Sequence, residues 1–214
     1  MKECTRLVSL GRDPERFGGM VNTPLFRGST ILSRTMAEWE QKQQDRANDV
    51  AGVSTYGRFG TPTTHALEDA MARLEGGHRA LLFPSGLAAI ATTLTALLSA
   101  GDHVLVTDSA YAPTRTFLAR VLKRYGVEMT LYDPHIGAGV DALMRPNTRV
   151  VYVESPGSET FEIQDIPAIA AAAHRQGARV VMDNTWGTPL FFKPFQHGVD
   201  VSVLAATKYI VGHS

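Results

Sequence analysis

Short continuous apolar runs alternate with amphipathic segments over most of this 214-residue chain. Continuous runs are typical of strands buried on both faces, and apolar residues spaced three or four apart are typical of helices. The pattern predicts strands at 80–83, 103–107, 127–132, 149–153, 178–182 and 199–204. It predicts helices between them at 87–98, 113–125 and 165–176. Alternating strands and helices predict an α/β fold with three layers and a mostly parallel sheet.

The first 60 residues lack this regularity. They contain many glycines and a polar run at 38–49. A clear helix signal begins only at Thr61, which is followed by Pro62 and ends at Gly76. We therefore predict an N-terminal arm, residues 1–60, that packs on a neighbouring subunit, and a large domain, residues 61–214. Since no helix follows the last strand to cover it, we expect the large domain to be incomplete at its C-terminal end and to continue in a longer enzyme.

Composition and charge narrow the range of partners. Lys plus Arg and Asp plus Glu both number 21, so no basic excess suggests a nucleic-acid partner. Polar residues interrupt every apolar stretch before it could span a bilayer, and the N-terminus lacks the apolar core of a signal peptide. Cys4 is the only cysteine, which excludes an internal disulfide. We expect a cytoplasmic protein without membrane or nucleic-acid partners.

Polar residues that suit one cofactor follow the predicted strands. They are Ser85 and Gly86, then Tyr111, Asp183 and Lys208. Ligands of open α/β sheets bind beyond the carboxyl ends of the strands. A lysine can form a Schiff base with pyridoxal 5'-phosphate (PLP), a carboxylate can pair with its ring nitrogen, and an aromatic ring can stack on it. A Ser-Gly turn at a helix N-terminus can bind its phosphate.

Each of these residues has an ordinary structural explanation when taken alone. Lys208 could be a surface lysine, Asp183 a strand-end cap, Tyr111 a packing residue and Ser85 a helix cap. Other α/β classes fit less well, because neither a nucleotide-binding glycine motif nor Gly-x-Ser-x-Gly of a serine hydrolase is present after the first strand. A non-catalytic binding protein is the remaining alternative of a different class, but it would not need Lys208 and Asp183 together.

Four segments resemble the Cys/Met-metabolism PLP-dependent enzymes of fold type I. They are the lysine segment 205–214, the Tyr-x-Arg segment 56–63, and segments 83–89 and 101–104. The resemblance covers nearly the whole chain, and it implies that the large domain has the PLP fold type I. It also implies a small sulfur amino-acid substrate and an arginine for the substrate carboxylate in the expected continuation of the chain.

The resemblance assigns a role to each site residue. Lys208 would form the Schiff base and act as general base, Asp183 would pair with the ring nitrogen, and Tyr111 would stack on the ring. The remaining cofactor contacts would be Ser85, Gly86, Leu87, Thr185 and Thr207, with Gly86, Leu87 and Thr207 on the phosphate. One departure is Ala205, where many members carry a serine, so one phosphate hydroxyl would be missing.

Two further residues imply an oligomer. Tyr56 and Arg58 would reach the phosphate of a neighbouring subunit's cofactor, so activity would require a dimer, and the family suggests a homotetramer. The resemblance implies that the enzyme binds no metal ion.

Three segments resemble cystathionine β-lyases more than the γ-cleaving members. Segment 111–114 contains Pro113, segment 154–158 replaces a usual Pro-Thr-Asn-Pro, and segment 183–186 carries Trp186. The resemblance implies α,β-elimination of cystathionine to homocysteine, pyruvate and ammonia, in methionine biosynthesis. A cystathionine γ-lyase, methionine γ-lyase or cystathionine γ-synthase is the alternative within the family.

Overall fold

The computed structural model describes residues 2–213, so Met1 and Ser214, the last residue of the lysine segment, lie outside it. The chain forms two compact units, Met1–Leu82 and Phe83–Ser214. The first unit contains the residues of the proposed arm and also the helix that begins after Thr61.

Helices make up the regular structure of the first unit. They are α1 (Glu3–Ser9), α2 (Met36–Ala47) and α3 (Pro62–Glu75), with a 3₁₀ turn at Gly57–Phe59. As predicted, Pro62 opens α3, where its missing N–H costs no hydrogen bond. The Thr61 N–H donates to Thr64 Oγ1 at 2.8 Å, and Gly76 ends the helix in the left-handed region, with φ of 76°.

A five-stranded parallel sheet forms the centre of the second unit. Its spatial order is β2-β1-β3-β4-β5. The strands are β1 (His103–Thr107), β2 (Glu128–Tyr132), β3 (Thr148–Glu154), β4 (Arg179–Asp183) and β5 (Val201–Val203). Each coincides with a predicted strand to within two residues at either end. The strands β1, β3 and β4 are buried on both faces, which gives their continuous apolar runs, whereas the edge strand β2 is partly exposed.

One helix precedes these strands, and further helices and 3₁₀ turns connect them. The helices are α4 (Gly86–Leu97), α5 (Ala112–Arg120), α6 (Ile166–Arg175) and α7 (Thr188–Phe191). The turns are Leu122–Tyr125, Gly137–Leu143 and Pro194–His197. Across residues 2–213, every helix is too short or too polar to cross a bilayer.

The two sheet faces carry separate hydrophobic cores. Successive residues of a strand point to opposite faces, and on one face Val151 and Val180 pack with Ile169 of α6. On the other face, Val150 packs in a cluster with Leu94 of α4 and Leu118 of α5. The three-layer α/β architecture predicted from the sequence is therefore confirmed.

The prediction of a strand at 80–83 is wrong. These residues form no strand, and Leu81 is 62% exposed. A strand needs a neighbour to complete its hydrogen-bond ladder, and the part of the chain that the structure describes offers segment 80–83 no such neighbour. An apolar run predicts burial, but it does not identify the strand that would pair with it.

The helix predicted at 113–125 is shorter than expected. The α-helical part ends at Arg120, and a 3₁₀ turn continues to Tyr125. Gly126 then ends the segment in the left-handed region, with φ of 81°, as its position in the sequence predicted.

His103 makes the stability of the sheet sensitive to acid. Its ring is fully buried, with Nδ1 2.8 Å from Thr148 Oγ1 and Nε2 2.9 Å from Thr130 Oγ1. Burial lowers the pKa of His103 below its usual 6.5, and the charge of Arg145 lowers it further. The unfolded chain therefore binds this proton first, so stability is complete above about pH 6.5 and falls below it.

We expect His103→Gln to flatten this pH dependence, while lowering stability at pH 8 because the amide cannot reproduce both contacts. Urea unfolding between pH 8 and pH 5 would measure the free energy of unfolding of both proteins. The slope of this free energy against pH should decrease in His103→Gln by at most about 1.4 kcal/mol per pH unit. The control is His135→Gln, since His135 is exposed. An equal slope in His103→Gln and the unaltered protein would contradict the prediction.

Candidate active site

The carboxyl ends of the parallel strands meet at one edge of the second unit. Tyr111 follows β1, Glu154 ends β3, Asp183 ends β4, and Lys208 follows β5. Polar side chains at this edge lie outside the hydrophobic core of the sheet, and open α/β sheets bind their ligands at this edge.

Asp183 is a buried carboxyl group at the end of β4. It lies opposite Glu154 of β3 and Val203 of β5 in the strand register, and its residue is only 7% exposed. Its Oδ1 accepts a hydrogen bond from the Thr185 N–H at 3.0 Å. Burial raises the pKa of Asp183, and the hydrogen bonds from Thr185 partly offset this effect. A buried carboxylate is stabilised most strongly by a cationic partner.

Contacts of Thr185 and Gly86 bring together the loop after β4, the loop after β5 and the N-terminus of α4. The Ala205 N–H donates to Thr185 Oγ1 at 2.8 Å, which ties the loop after β5 to the loop after β4. A Cβ built on Gly86 would lie 2.9 Å from the Cβ of Ala205. Only glycine at position 86 therefore lets α4 begin this close to Ala205 without displacing it.

The N-terminus of α4 offers hydrogen-bond donors at the same edge. Ser85 Oγ accepts from the Ala88 N–H at 3.0 Å, so Ser85 acts as the N-cap. The amides of Gly86 and Leu87 lie at the start of the helix, where no intrahelical acceptor is available to them. Such amides, together with the helix dipole, favour an anion.

Lys208 lies in the turn after β5. Its backbone N–H donates to the Ala205 carbonyl at 3.0 Å, and its residue is exposed, as is Thr207. The next residue, Tyr209, packs edge-on against Trp186, with ring centroids 5.5 Å apart. These contacts hold the turn of Lys208 beside the loop that follows Asp183.

A hydrogen bond from the backbone of Tyr111 holds this residue at the end of the sheet. It directly precedes α5, its residue is 45% exposed, and its N–H donates to Glu154 Oε2 at 2.7 Å. Burial and the neighbouring charge of Asp183 raise the pKa of Glu154 to about 8. Glu154 was not among the predicted site residues, although its position directly after a buried strand was a signal for it.

An aromatic cluster and a cavity flank the predicted site. Trp186 packs against Phe161 as well as Tyr209, with a centroid distance of 5.3 Å to Phe161. The cavity measures about 320 Å³. Its lining is largely apolar and consists of Ser155, Pro156, Ile163, Gln164, Ile166, Met182, Trp186, Gly187, Phe191 and Phe192.

The loop after β3 packs closely on the loop after β1. The Ser158 N–H donates to the Ser109 carbonyl at 2.8 Å. A Cβ on Gly157 would lie 2.7 Å from the Cβ of Ser109, so this approach requires glycine. Segment 154–158 thus shapes the site through backbone contact.

Tyr56 and Arg58 belong to the first unit. The Arg58 guanidinium lies 5.2 Å from the centroid of the Tyr56 ring and 4.9 Å from that of Phe59. An antiparallel bridge between Thr30 and Tyr56 holds this turn. Gly57 could not carry a side chain, because its Cβ would overlap the Gly28 carbonyl oxygen.

Comparisons with known proteins agree on one family. The family model described as Cys/Met metabolism PLP-dependent enzyme matches residues 4–214. The chain belongs to this family.

Individual relatives cover the same span. A putative cystathionine beta-lyase of Rhizobium johnstonii is 50% identical over 98% of this chain and 51% of its own length. Cystathionine beta-lyase MetC of Escherichia coli is 42% identical over 98% of this chain and 53% of its own. The chain thus spans about half the length of these curated relatives.

A solved structure matches the fold. Cystathionine gamma-lyase from Lactobacillus plantarum, complexed with L-serine, superimposes with a TM-score of 0.87 at 33% identity. The match covers all of this chain and 52% of the other. The chain therefore shares this fold over its whole length.

The residues at the sheet edge fit the family's cofactor, PLP. PLP carries an anionic phosphate at one side and a ring nitrogen that can be cationic at another. The amides at the start of α4, beside the tight contact of Gly86 with Ala205, suit the phosphate. The buried carboxyl group of Asp183 suits the ring nitrogen. The second unit therefore brings together amide donors for the phosphate and a carboxyl group for the ring nitrogen.

Proposed function

We propose that this chain forms the cofactor-binding part of a PLP-dependent carbon–sulfur lyase that cleaves cystathionine by α,β-elimination. Cystathionine and one molecule of water give homocysteine, pyruvate and ammonia. The observation that carries the proposal is the joint position of Lys208, Asp183 and Tyr111 at one sheet edge in a chain 50% identical to a putative cystathionine beta-lyase.

The proposed roles of the cofactor residues follow from the contacts at that edge. Gly86 and Leu87 hold the phosphate through their amides, with Ser85, Thr185 and Thr207 in support. In place of the usual serine, Ala205 supplies no hydroxyl, and the helix amides carry a larger share of the phosphate contact.

Proton movements are assigned to Lys208 and Tyr111. Bound PLP supplies an electron sink for the negative charge that develops at the substrate Cα. Lys208 Nζ accepts the proton from Cα, and Asp183 keeps the ring nitrogen cationic. Tyr111 stacks on the ring and fixes its plane. The leaving sulfur at Cβ receives a proton from Lys208 Nζ or from the Tyr111 hydroxyl.

A γ-cleaving enzyme is the second candidate. The likeness to cystathionine gamma-lyase of Lactobacillus plantarum favours it, since the fold match spans the whole chain. In γ-cleavage the base must also remove a proton from Cβ, so Lys208 would have to reach further along the substrate. Pro113, Gly157 and Trp186 favour the β-lyase, and they flank the site rather than contact the bond that breaks.

Product analysis with cystathionine tests the function. The β-lyase forms homocysteine and pyruvate in equal amounts, whereas a γ-lyase forms cysteine and 2-oxobutyrate. The Lys208→Ala protein, assayed in parallel, accounts for contaminating lyases. With 2-oxobutyrate as the main keto acid, the γ-lyase would replace the β-lyase as the function.

The proposal extends to assembly and location. We propose a cytoplasmic homo-oligomer, a dimer with shared sites or a tetramer of such dimers, in which residues 1–60 form the arm. The exposed thiol of Cys4 suits a reducing compartment. Arg58 makes no ion pair among residues 2–213, which leaves its guanidinium fork available for a phosphate of the neighbouring subunit.

Mixed subunits test the shared site. We expect Arg58→Ala and Lys208→Ala proteins to be inactive separately and to regain activity after mixing, because a hybrid dimer contains one site with both residues intact. At most about half of the hybrid's sites can be restored, so recovery to a quarter of native activity or less is expected from random pairing. Subunit exchange is checked with a tagged chain, and exchange without recovery would place both residues in the same subunit's site.

A further inference from the structure

We propose that Glu154 is a positioning residue of the cofactor site. Its carboxyl group holds the backbone of Tyr111, and it takes up the proton that would otherwise neutralise Asp183. This inference rests on the placement of PLP at the sheet edge, but not on whether the enzyme cleaves at Cβ or Cγ.

The first observation is the hydrogen bond between Glu154 and Tyr111. Glu154 Oε2 accepts from the Tyr111 N–H at 2.7 Å, across from β3 to the start of α5. The N-terminus of α5 has no cap from the side chain of Tyr111 itself. The Glu154 carboxyl group is therefore a contact that fixes where the Tyr111 backbone leaves the sheet, and with it the origin of the aromatic ring.

The second observation is that Glu154 and Asp183 are direct neighbours. They are paired in the register of β3 and β4, and parallel strands lie about 4.8 Å apart. Paired residues point to the same face of the sheet, so the two carboxyl groups share one partly buried space. Two such groups do not both ionise easily, and a proton stays on one of them.

The surroundings determine which carboxyl group keeps the proton. Asp183 accepts hydrogen bonds from Thr185, which favour its charged form. Glu154 is buried beside that charge, and these two causes raise its pKa to about 8. Arg115 of α5 and the N–H of Tyr111 act in the opposite direction but do not outweigh them. In the proposed arrangement the shared proton therefore lies on Glu154 rather than on Asp183.

Tyr152 also faces this pair. It lies two residues before Glu154 on the same face of β3 and is fully buried. Burial and the charges of Asp183 and Glu154 raise its pKa far above the usual range, so it stays neutral. Tyr152 therefore does not contribute to a change of the site between pH 6 and pH 9.5.

The test compares Glu154→Gln and Glu154→Ala in the PLP-loaded protein. Glutamine keeps an acceptor for the Tyr111 N–H but cannot ionise, whereas alanine removes both properties. The readouts are the dissociation constant of PLP and the visible circular dichroism of bound PLP from pH 6 to pH 9.5. Glu128→Gln is the matched control, because Glu128 is exposed at the amino end of β2.

We expect alanine to weaken PLP binding about 5- to 10-fold and to reduce the dichroism, since an unpaired N–H and a displaced ring result. Glutamine restores the affinity to within about two-fold at pH 7. It also abolishes the part of the dichroism change that has its midpoint near pH 8 in the unaltered protein. Glu128→Gln behaves as the unaltered protein.

The inference is overturned if Glu154→Gln keeps the transition near pH 8, or if alanine binds PLP as tightly as the unaltered protein. Should the alanine variant fail to fold, the pH profile of the glutamine variant decides. An unaltered protein that binds no PLP would refute the placement of the cofactor, and with it this inference. A γ-cleaving product pattern would refute only the β-lyase.

Discussion

Replacing Lys208 by alanine is expected to reduce turnover of cystathionine by about 10⁴-fold or more. The reason is that one amine serves as both the covalent partner of PLP and the base at Cα, and general base catalysis alone contributes about 10²–10⁴-fold. Lys208 lies in the turn after β5, with its backbone held by Ala205, and the variant removes no buried contact. The fold should therefore survive, and circular dichroism in the far ultraviolet would verify it.

The site of attachment can be measured independently of turnover. Borohydride reduces the bond between a lysine and the PLP aldehyde, and peptide mapping then locates the label. The second unit offers Lys123, Lys193 and Lys208, and we expect the label on Lys208 alone. Lys123→Ala is the matched control for activity, because Lys123 is exposed on the 3₁₀ turn after α5. A label on Lys123 or Lys193 would contradict the assignment.

The centre of the sheet was predictable because β1, β3 and β4 are buried on both faces. The segments at β1 and β3 are continuous runs of mostly β-branched or apolar residues, and such runs have few other stable places in a protein. Gly126 and Gly177 adopt left-handed conformations at the ends that they predicted. Segment 80–83, Ala-Leu-Leu-Phe, is also apolar, but it contains no β-branched residue and has no strand beside it among residues 2–213.

The site could be predicted less completely than the sheet. Asp183 and Lys208 were recognisable because each directly follows an apolar run, and a parallel sheet collects such positions at one edge. Glu154 has the same kind of position, yet its importance depends on its register with Asp183 and on a hydrogen bond to Tyr111 from 43 residues away along the chain. Those relations arise only from the packing of β3, β4 and α5.

The packing roles of glycine were also beyond prediction. In the sequence, Gly157 only belonged to a segment that differs between subfamilies. The structure adds that the absence of a Cβ at Gly157 lets the loop after β3 contact Ser109. Gly86 was expected to contact phosphate, and it also leaves room for Ala205. A side chain at position 86 would meet the side chain of Ala205, so the packing of Ala205 requires glycine at position 86.

Replacing Asp183 by asparagine is expected to leave PLP bound but to lower turnover by about 10²–10³-fold, the cost of removing a preorganised charge. Asparagine has nearly the shape of aspartate, and its carbonyl oxygen can still accept the hydrogen bond from the Thr185 N–H. The contact between Thr185 and Ala205 is also kept, since it does not involve Asp183. What is lost is the negative charge that keeps the PLP ring nitrogen cationic.

The matched control for this change is Asp165→Asn. Asp165 caps α6, its Oδ1 accepts from the Ala168 N–H at 3.1 Å, and asparagine is an equally good cap. The same charge is thus removed from the same unit at a site that faces solvent, so activity should be unchanged. The two variants together separate the effect of a charge at the sheet edge from that of total charge.

The pH behaviour of Asp183→Asn gives the second measurement. In the unaltered protein, the charge of Asp183 helps to hold a proton on Glu154 up to about pH 8. Without that charge the pKa of Glu154 falls, although its burial, the larger cause of the shift, remains, so a larger fraction of Glu154 is ionised at neutral pH and available to the ring nitrogen. We therefore expect the residual activity of Asp183→Asn to be abolished by adding Glu154→Gln, so that the double variant is less active than either single one. Near-normal turnover in Asp183→Asn would show that the ring nitrogen does not depend on this carboxylate.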